Sequence, residues 1–514
     1  MTAKAYSPSW WDYAMSYIAP DYALRGFRAR ASYAQYEAAK NTRLRKRTRD
    51  GRAPDVIAGA SAEKVRNYMR GAERDYDLFR GILRTLERNV VGAEGIQIEP
   101  MPKDRNGKTL TKLADQLMLL FREWSRRPDV TAQLDWGAMC RRAFRCWSRD
   151  GEGFAQHLLG AVPYLTHGTR VPYSIELLEA DLVPVDYDDD ARRIRQGVEL
   201  NAWGRAIAFH VYKQHPGEAG LLGSRGLGTK RVGADRLSHF AIRDRLHQTR
   251  GISLFCSIIN RIEDLKDTED AERIAARINA SIAALVKRDP DATTSPGAPK
   301  SEAGRPTFMF EHGQIWDGAA PGDDFVVVDT KRPNPNLAGF LNDQTRRVAA
   351  GSEVGHSSIS RNYDGTYSAQ RQELVEIWTA YRVLTREFVA QFVLPVWENF
   401  ISAVLAAGLI ELPAELDPLT LAHADFRGPA MPWIDPKKEW EAIEIALRVR
   451  GSSLTKVLRE RGEDPWQMLE QIRDEREVME DYRIPITTDG ARAVAPAPAR
   501  TEDEEGTNAR SQEA

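Results

Sequence analysis

A chain of 514 residues is longer than one hydrophobic core can serve, so several domains are expected. Apolar content of 42% beside 28% charged residues fits a soluble globular class, and no run of about eighteen apolar residues marks a transmembrane helix. A net charge of −2 excludes a protein that coats nucleic acid by bulk attraction, and three cysteines (Cys140, Cys146, Cys256) are too few and oddly numbered for a disulfide framework.

The first residues, MTAKAYSPSWWDYAM, lack the basic region and apolar core of a secretory signal. Between Arg25 and Arg52 ten Lys or Arg residues face only Glu37 and Asp50. This reads either as a solvated arm or as a contact for nucleic acid or an acidic partner, and composition leaves both open. Ser61 to Val90 has helical apolar spacing through Val65, Tyr68, Met69, Leu78, Ile82, Leu83 and Leu86, with Gly71 expected to interrupt it. Gly92 and Gly95 then lead into a strand at Ile96-Gln97-Ile98. Helices are expected over Lys112–Ser125 and Trp136–Ser148. Short strands follow at Phe154–Leu159, Ser174–Leu178, Gly197–Leu200 and Ala206–Val211, with turns at Asp150-Gly151 and Asn201–Gly204. Phe255 to Arg288 reads as one long helix, ended by Asp289-Pro290. Asp291 to Asn336 is rich in Pro, Gly and Ser, with strand-like runs at Thr307–Phe310 and Phe325–Val328. Next come a helix, a small polar loop within Gly351–Thr366, a helical stretch to Leu409 in which Pro395 should bend or end the helix, and a last helical region over Pro436–Tyr482. After about Asp489 the Ala-, Pro- and acid-rich tail can bury no core and reads as disordered. The fold class is α+β and multi-domain.

Candidate chemistry fails on spacing. Gly223 to Lys230 is Gly-rich, but Thr229 separates Gly228 from Lys230 and Arg231 follows, whereas a phosphate loop needs Gly-Lys-Ser/Thr opening a helix. Gly151-Glu152-Gly153 lacks the third glycine of a dinucleotide fingerprint. The scattered histidines and unpaired cysteines give no metal-ligand pattern, and Gly355-His356-Ser357-Ser358-Ile359 is no nucleophile elbow. Asp186 to Asp190 reads as an acidic turn rather than a calcium loop. No catalytic residue, metal or cofactor is expected.

Short elements in a fixed order resemble lambda-type tailed-phage portal proteins. Arg88 to Ile96 resembles that family's "N.VG.GI" element, and Trp147 to Phe154 its "GE.f" turn. Leu177 to Leu182, Ile194 to Tyr212, Thr249 to Ser253 ("Q.RG.s") and Trp433 to Pro436 ("w..vDP") follow in order, and Asn362-Tyr363 with Tyr367 to Arg371 resembles its "nYSSaR" helix start. The resemblance covers roughly residues 60 to 480. It implies a portal fold of wing, stem, clip and crown, assembled into a ring, usually a dodecamer, at one vertex of a viral capsid. The implied divisions are a basic N-terminal arm (1–60), an α+β wing (61–252), a first stem helix (253–288), a clip (289–336), a second stem helix (337–350), a tunnel loop (351–367), a helical wing and crown region (368–482) and the tail (483–514). The implied partners are double-stranded DNA without sequence preference, the large terminase subunit, the major capsid and scaffold proteins and a neck or tail adaptor, with no membrane. The implied location is the virion, after assembly in the host cytoplasm.

Residue chemistry can be matched to that role. Glu263, Asp267 and Asp270 lie four and three apart, hence on one helix face, and repeated around a ring they would repel the DNA backbone; an ordinary solvated face reads the same way. The tunnel-loop candidates are Ser352, Val354, Gly355, His356, Ser357, Ser358, Ile359 and Ser360, small and sparsely charged, suited to touching DNA without gripping it. Leu374, Ile377, Trp378, Tyr381, Leu384, Phe388, Phe392 and Trp397 form a wide stripe that serves either an internal core or contact between subunits. The alternative class is a nucleic-acid-binding or nucleotide-using factor working through the basic arm and the Gly-rich loop.

Overall fold

The computed structural model describes residues 51–218, 228–280, 284–287, 324–327, 336–363, 365–432 and 435–482. The basic arm, the Gly-rich stretch 219–227, the run Thr307–Phe310, the Asp289-Pro290 helix stop and the acidic tail lie outside the described residues. The chain divides into two units, Met1–Ile57 and Ala58–Ala514. Of the first, residues 51–57 are described, and they include the start of helix α1.

Helix α1 (Pro54–Asp75) is followed by α2 (Asp77–Leu86). The break falls at Tyr76, whose backbone is extended, and not at Gly71, which stays helical inside α1 with open space around it. A π-helical turn, Glu87–Val91, carries α2 into the Gly92 bend and strand β1 (Gln97–Pro100). Helices α3 (Thr111–Trp124) and α4 (Trp136–Arg145) follow, α4 running into a second π-helical turn, Cys146–Asp150. Asp135 caps α4 by accepting from Ala138 N at 2.7 Å.

The strands come next: β2 (Glu152–Leu159), β3 (Tyr173–Leu178), β4 (Ile194–Arg195), β5 (Val198–Leu200), β6 (Ala206–Tyr212), β7 (Thr229–Gly233) and β8 (Leu237–Ala241). They form two antiparallel sheets, ordered β3-β2-β8 and β4-β5-β6-β7. Between them Phe154, Leu178, Val183, Val198, Phe209, Val211 and Leu237 make a small apolar cluster. Strands β4, β7 and β8 were not expected from sequence: β4 is only two residues, and β7, reading Thr-Lys-Arg-Val-Gly, is too polar to alternate.

Helix α5 (Ile259–Ala280) is shorter at both ends than the Phe255–Arg288 helix expected. Ala284–Lys287 is instead strand β9, paired antiparallel with β10 (Asp324–Val327). The β-branched Val286 and the partner strand win over a helical period that the sequence carries through Leu285.

Helix α6 (Leu337–Ser352), the short α7 (His356–Ser360) and α8 (Tyr367–Phe388) follow, and a third π-helical turn, Val389–Val393, joins α8 to α9 (Leu394–Ala406). Pro395 does not end this run; it sits in the first turn of α9, where its missing N–H is tolerated. The run Tyr367–Ala406 is long and apolar enough to cross a membrane by composition, but half of its most apolar window is buried inside the protein. Its stripe is spent in the core, with Trp378, Tyr381, Leu384, Phe388, Phe392 and Trp397 all buried. Strand β11 (Ala424–Arg427) pairs with β1, and helices α10 (Pro436–Arg448), α11 (Leu454–Glu460) and α12 (Pro465–Asp481) complete the described chain.

The main core is strongly aromatic. Phe121 packs edge-on to Trp136, Trp397 and Phe400, and Phe144 to Phe388. Three buried indoles each satisfy their N–H on a backbone carbonyl at 2.9 Å: Trp124 on Tyr173, Trp136 on Ile96 and Trp397 on Ala422. These bonds lock β3, the Gly92–Ile96 bend and the segment before β11 onto one core and satisfy these three indoles.

Candidate functional site

The elbow between α6 and α8 is where the sequence placed its loop, and the structure gives it more order than expected. Helix α6 leans on α5, with Arg261 Nη1 donating to Gln344 Oε1 at 2.7 Å, and Val348, Ala349 and Ser352 face inward. Glu353 ends α6 in the left-handed region (φ 56°), and Val354 N closes back on Ala349 O at 3.2 Å. The chain then forms α7, whose capping residue, Gly355, has no side chain to satisfy the first amides. Glu373 of α8 supplies that function from outside, accepting from Ser357 N at 3.3 Å and from Ser357 Oγ at 2.8 Å. Ser360 Oγ bonds His356 O at 2.8 Å, Arg361 (φ 56°) ends the turn, and Gln370 Nε2 donates to the carbonyls of Tyr363 and Gly365.

This order redistributes the expected contact residues. Ser352 is buried with its hydroxyl on Ala349 O (3.2 Å), Val354 is buried in the main core, and Gly355 is buried too. These three face the interior of the fold, a correction to their expected place on an open loop. The cause is the reversal at Glu353, which turns the segment onto α8. His356, Ser357, Ser358 and Ile359 are half-buried, and Ser360 is exposed. Burial lowers the His356 pKa, the Arg346 charge adds to this, and Glu373 opposes it, so the ring is neutral near pH 7. The exposed apex is Arg361, Asn362, Tyr363, Gly365 and Thr366, within the expected 351–367 loop but past its contact candidates, which end at Ser360.

The expected acidic face on α5 is present but uneven. Asp267 is exposed, Glu263 is half-buried, and Asp270 is half-buried and ion-paired with Arg273 one turn on. Lys266 breaks the stripe, bonding Asp75 O at 3.1 Å with its ammonium 4.0 Å from the Tyr76 ring. Glu269 has its pKa raised by burial and then by the nearby Asp77 charge.

The motif residues themselves build the frame that holds these surfaces. Glu152 and Arg250 are both fully buried and joined at 2.7 Å. Arg250 also donates to the carbonyls of Val183 (3.0 Å), Gln196 (2.9 Å) and Ala180 (3.0 Å). Glu152 accepts from Gly251 N at 2.9 Å and from His239 Nε2 at 2.9 Å. Burial alone would raise the Glu152 pKa, but the Arg250 charge and the His239 hydrogen bond hold it well below the usual carboxylate range. Two glycines admit this crossing. Gly151 has φ 87°, and a Cβ on Gly251 would lie 2.1 Å from the Gly151 carbonyl oxygen. Beside the pair, Asp150 is held by Arg70 (2.9 Å) and Arg149 (2.7 Å), and Arg70 also reaches Asp181 (2.7 Å). The sequence showed "GE.f" and "RG.s" as separate turns; their one common node was invisible because no local spacing links positions 98 apart.

Three groups of residues that could suggest other chemistry have partners of their own. Glu179, Asp181 and His215 come close enough to share a cation, yet Arg70 already lies 3.5 Å from Glu179 and 2.7 Å from Asp181 and supplies the positive charge. Lys230, whose spacing already argued against a phosphate loop, lies in β7 with its ammonium on Gln156 Oε1 at 3.2 Å, and no helix begins at β7. Asp188 and Asp189 accept from backbone amides of Gln196, Ala191 and Arg192, an acidic turn as expected.

Three comparisons bear on these surfaces. The family "Phage portal protein, lambda family" matches residues 40–384. The chain is 24% identical over 455 residues to the "Probable portal protein" of Halomonas phage phiHAP-1, covering 86% of each. It is 23% identical over 320 residues to "Portal protein B" of Escherichia phage lambda, covering 57% of this chain and 59% of the relative. Among solved structures it is similar, at TM-score 0.41 and 12% identity, to a chain of the "Neck of native GTA particle computed with C12 symmetry", covering 80% of this chain and 99% of that one. That likeness is too distant to bear on function.

Proposed function

The chain belongs to the lambda family of phage portal proteins, and we propose that it works as one stave of a closed ring, a dodecamer, at the portal vertex of a capsid. It is a structural component of a phage virion, and genome enters and leaves through the channel its copies enclose. The observation that carries this reading is the family match across residues 40–384, which spans the wing, α5 and the whole elbow. The roles follow by position. α5 and α6 serve as stem helices, with Glu263, Asp267 and Asp270 toward the channel, and the β9–β10 hairpin belongs to the clip. The elbow presents Ser357, Ser358, Ser360 and the apex residues Arg361, Asn362, Tyr363, Gly365 and Thr366 to double-stranded DNA, without sequence preference.

The chain makes and breaks no bonds in this scheme. A separate terminase large subunit docks on the ring and supplies the work, the major capsid and scaffold proteins surround it, and a neck or tail adaptor later replaces the motor. Assembly takes place in the host cytoplasm. Two physical features support a passive conduit. The Glu152–Arg250 node fixes the wing rigidly, and a mostly uncharged elbow offers few phosphate contacts. The test is size-exclusion chromatography with negative-stain microscopy of the purified chain. Annuli with a central hole and no nucleotide hydrolysis are the expected result. A solitary subunit at all concentrations, or turnover of ATP by the chain alone, overturns it.

A further inference from the structure

Helix α2 buries Phe79, Ile82, Leu83 and Leu86 in the main core. Its opposite face, continued into the π-helical turn, exposes Arg80, Gly81, Arg84 and Arg88. The three arginines are four residues apart, so they stand about 6 Å from one another along one face and span about 12 Å. Many other exposed arginines of this chain are matched within a turn, as Arg347 is by Asp343, Arg448 by Glu444 and Arg473 by Glu470. Among the described residues Arg80, Arg84 and Arg88 have no ion pair and no side-chain hydrogen bond. Two carboxylates lie three residues from a member of this row: Glu87 is buried and committed to Arg145, and Asp77, exposed at the helix start, accepts from Leu78 N at 2.7 Å and makes no ion pair with Arg80.

Two features of this face work against the fold. Like charges at i, i+4 destabilise a helix. Gly81 is helical, and a Cβ there would meet nothing within 4 Å, so the fold has no steric need for a residue that weakens helices. Both features fall on the same exposed face, between and beside the arginines. A close-approaching, multiply anionic partner accounts for both at once: the guanidinium groups pair with its charges, and the missing side chain at Gly81 lets it lie against the backbone. The face is also continuous with the elbow. α2 packs against α7, and Thr385 of α8 bonds Val90 O at 3.1 Å just beyond Arg88. Arg361 lies exposed at the far end of α7.

We propose that Arg80, Arg84 and Arg88 form a phosphate rail beside the elbow, gripping the backbone of duplex DNA without reading its bases. The proposal rests on the portal reading for the presence of DNA. A 12 Å row of guanidinium groups covers roughly three phosphates of one strand, at about 3.4 Å of helix axis each. It adds to each subunit a weak, salt-sensitive hold opposing the repulsion from α5, so that DNA is retained when the motor is absent.

The test uses the assembled full-length protein and short duplexes of two unrelated sequences, with binding followed by fluorescence anisotropy across a salt series. Three proteins are compared: the wild type, the triple variant R80Q/R84Q/R88Q, and a control triple, R105Q/R126Q/R205Q, that removes three exposed arginines elsewhere. The rail predicts that the slope of log K against log[salt] flattens by about 2 or more in the first variant, equally for both duplexes, and is unchanged in the control. The charge-preserving R80K/R84K/R88K keeps the wild-type slope, and R84Q alone flattens it by about 1, which keeps the question decidable should the triple variant fold poorly. An unchanged slope with intact rings overturns the proposal. So does loss of rings with an unchanged slope, which would assign the arginines to an acidic surface of the neighbouring copy. Failure of the wild type itself to form rings would count against the portal reading, while the slope comparison would still decide the rail.

Discussion

Glu152 and Arg250 show how much a single buried contact can organise. Arg250 ties together the carbonyls of Ala180, Val183 and Gln196, and Glu152 tethers it to the head of β2, so one guanidinium gathers both sheets. Removing one partner leaves the other charged and buried, which costs about 3–5 kcal/mol. Glu152→Gln should therefore lower the urea midpoint strongly, and Arg250→Met likewise. The double variant should lose clearly less than the sum, and strict additivity would show that the two side chains do not act as a pair. His157 gives a second residue-scale prediction. Burial lowers its pKa to about 4, and its ring nitrogens lie 2.7 Å from Tyr173 Oη and Ser238 Oγ. Because the folded pKa is depressed for a base, the unfolded chain takes up the proton first. Stability is thus full above about pH 6.5 and falls as pH drops towards 4, by up to about 1.4 kcal/mol per pH unit. His157→Gln should flatten the fall of Tm over that window. An identical pH profile would place the acid sensitivity elsewhere, with His239, which burial also lowers to about 4 against the pull of Glu152, as the next group to change.

Among the elements, α7 depends most on a neighbour. It is five residues long, too short to persist alone, and it borrows its N-terminal cap from Glu373 on α8. Capping interactions of this kind contribute typically about 1 kcal/mol. Glu373→Ala should leave α8 intact, since that face of α8 is held by Trp378 and Tyr381, while speeding hydrogen exchange of the amides from Ser357 to Ser360. Exchange as slow as in the wild type would mean that Ile359 packing alone docks the elbow. The C-terminal helices are tethered in a comparable way. Glu99, buried in β1, accepts from Arg427 at 2.9 Å and from Arg459 at 3.0 Å, which fastens α11 to the β1–β11 pair. Beyond that tether α10 buries no residue of its own, and Trp440, Ile445 and Val449 stay exposed.

At the scale of the whole molecule, a portal subunit needs a rigid body and a small adaptable surface, and this chain separates the two. The aromatic core packs β2 and β3 together with α8–α9, leaving Arg361, Asn362, Tyr363, Gly365 and Thr366 as the solvent-facing end of the elbow. Deleting Asn362 to Gly365 should therefore spare ring assembly while impairing packaging or genome retention; normal packaging by that deletion would remove the elbow from the DNA path. A deletion reaching Val354 would instead take a buried side chain from the core and confound the result. The sequence by itself determined the α+β class, most helices, the acidic turn at Asp186–Asp190 and the family, because periodicity, glycine turns and ordered motifs are local properties of a chain. It did not reveal β7, the end of α5 before β9, the inward burial of Ser352 and Val354, or the Glu152–Arg250 node. Each of those depends on a partner far away in sequence: a strand to pair with, a core to enter, a charge to meet. Only the tertiary structure brings such partners together, and so only it could decide which residues of the motifs are buried inside the fold and which stay exposed on its surface.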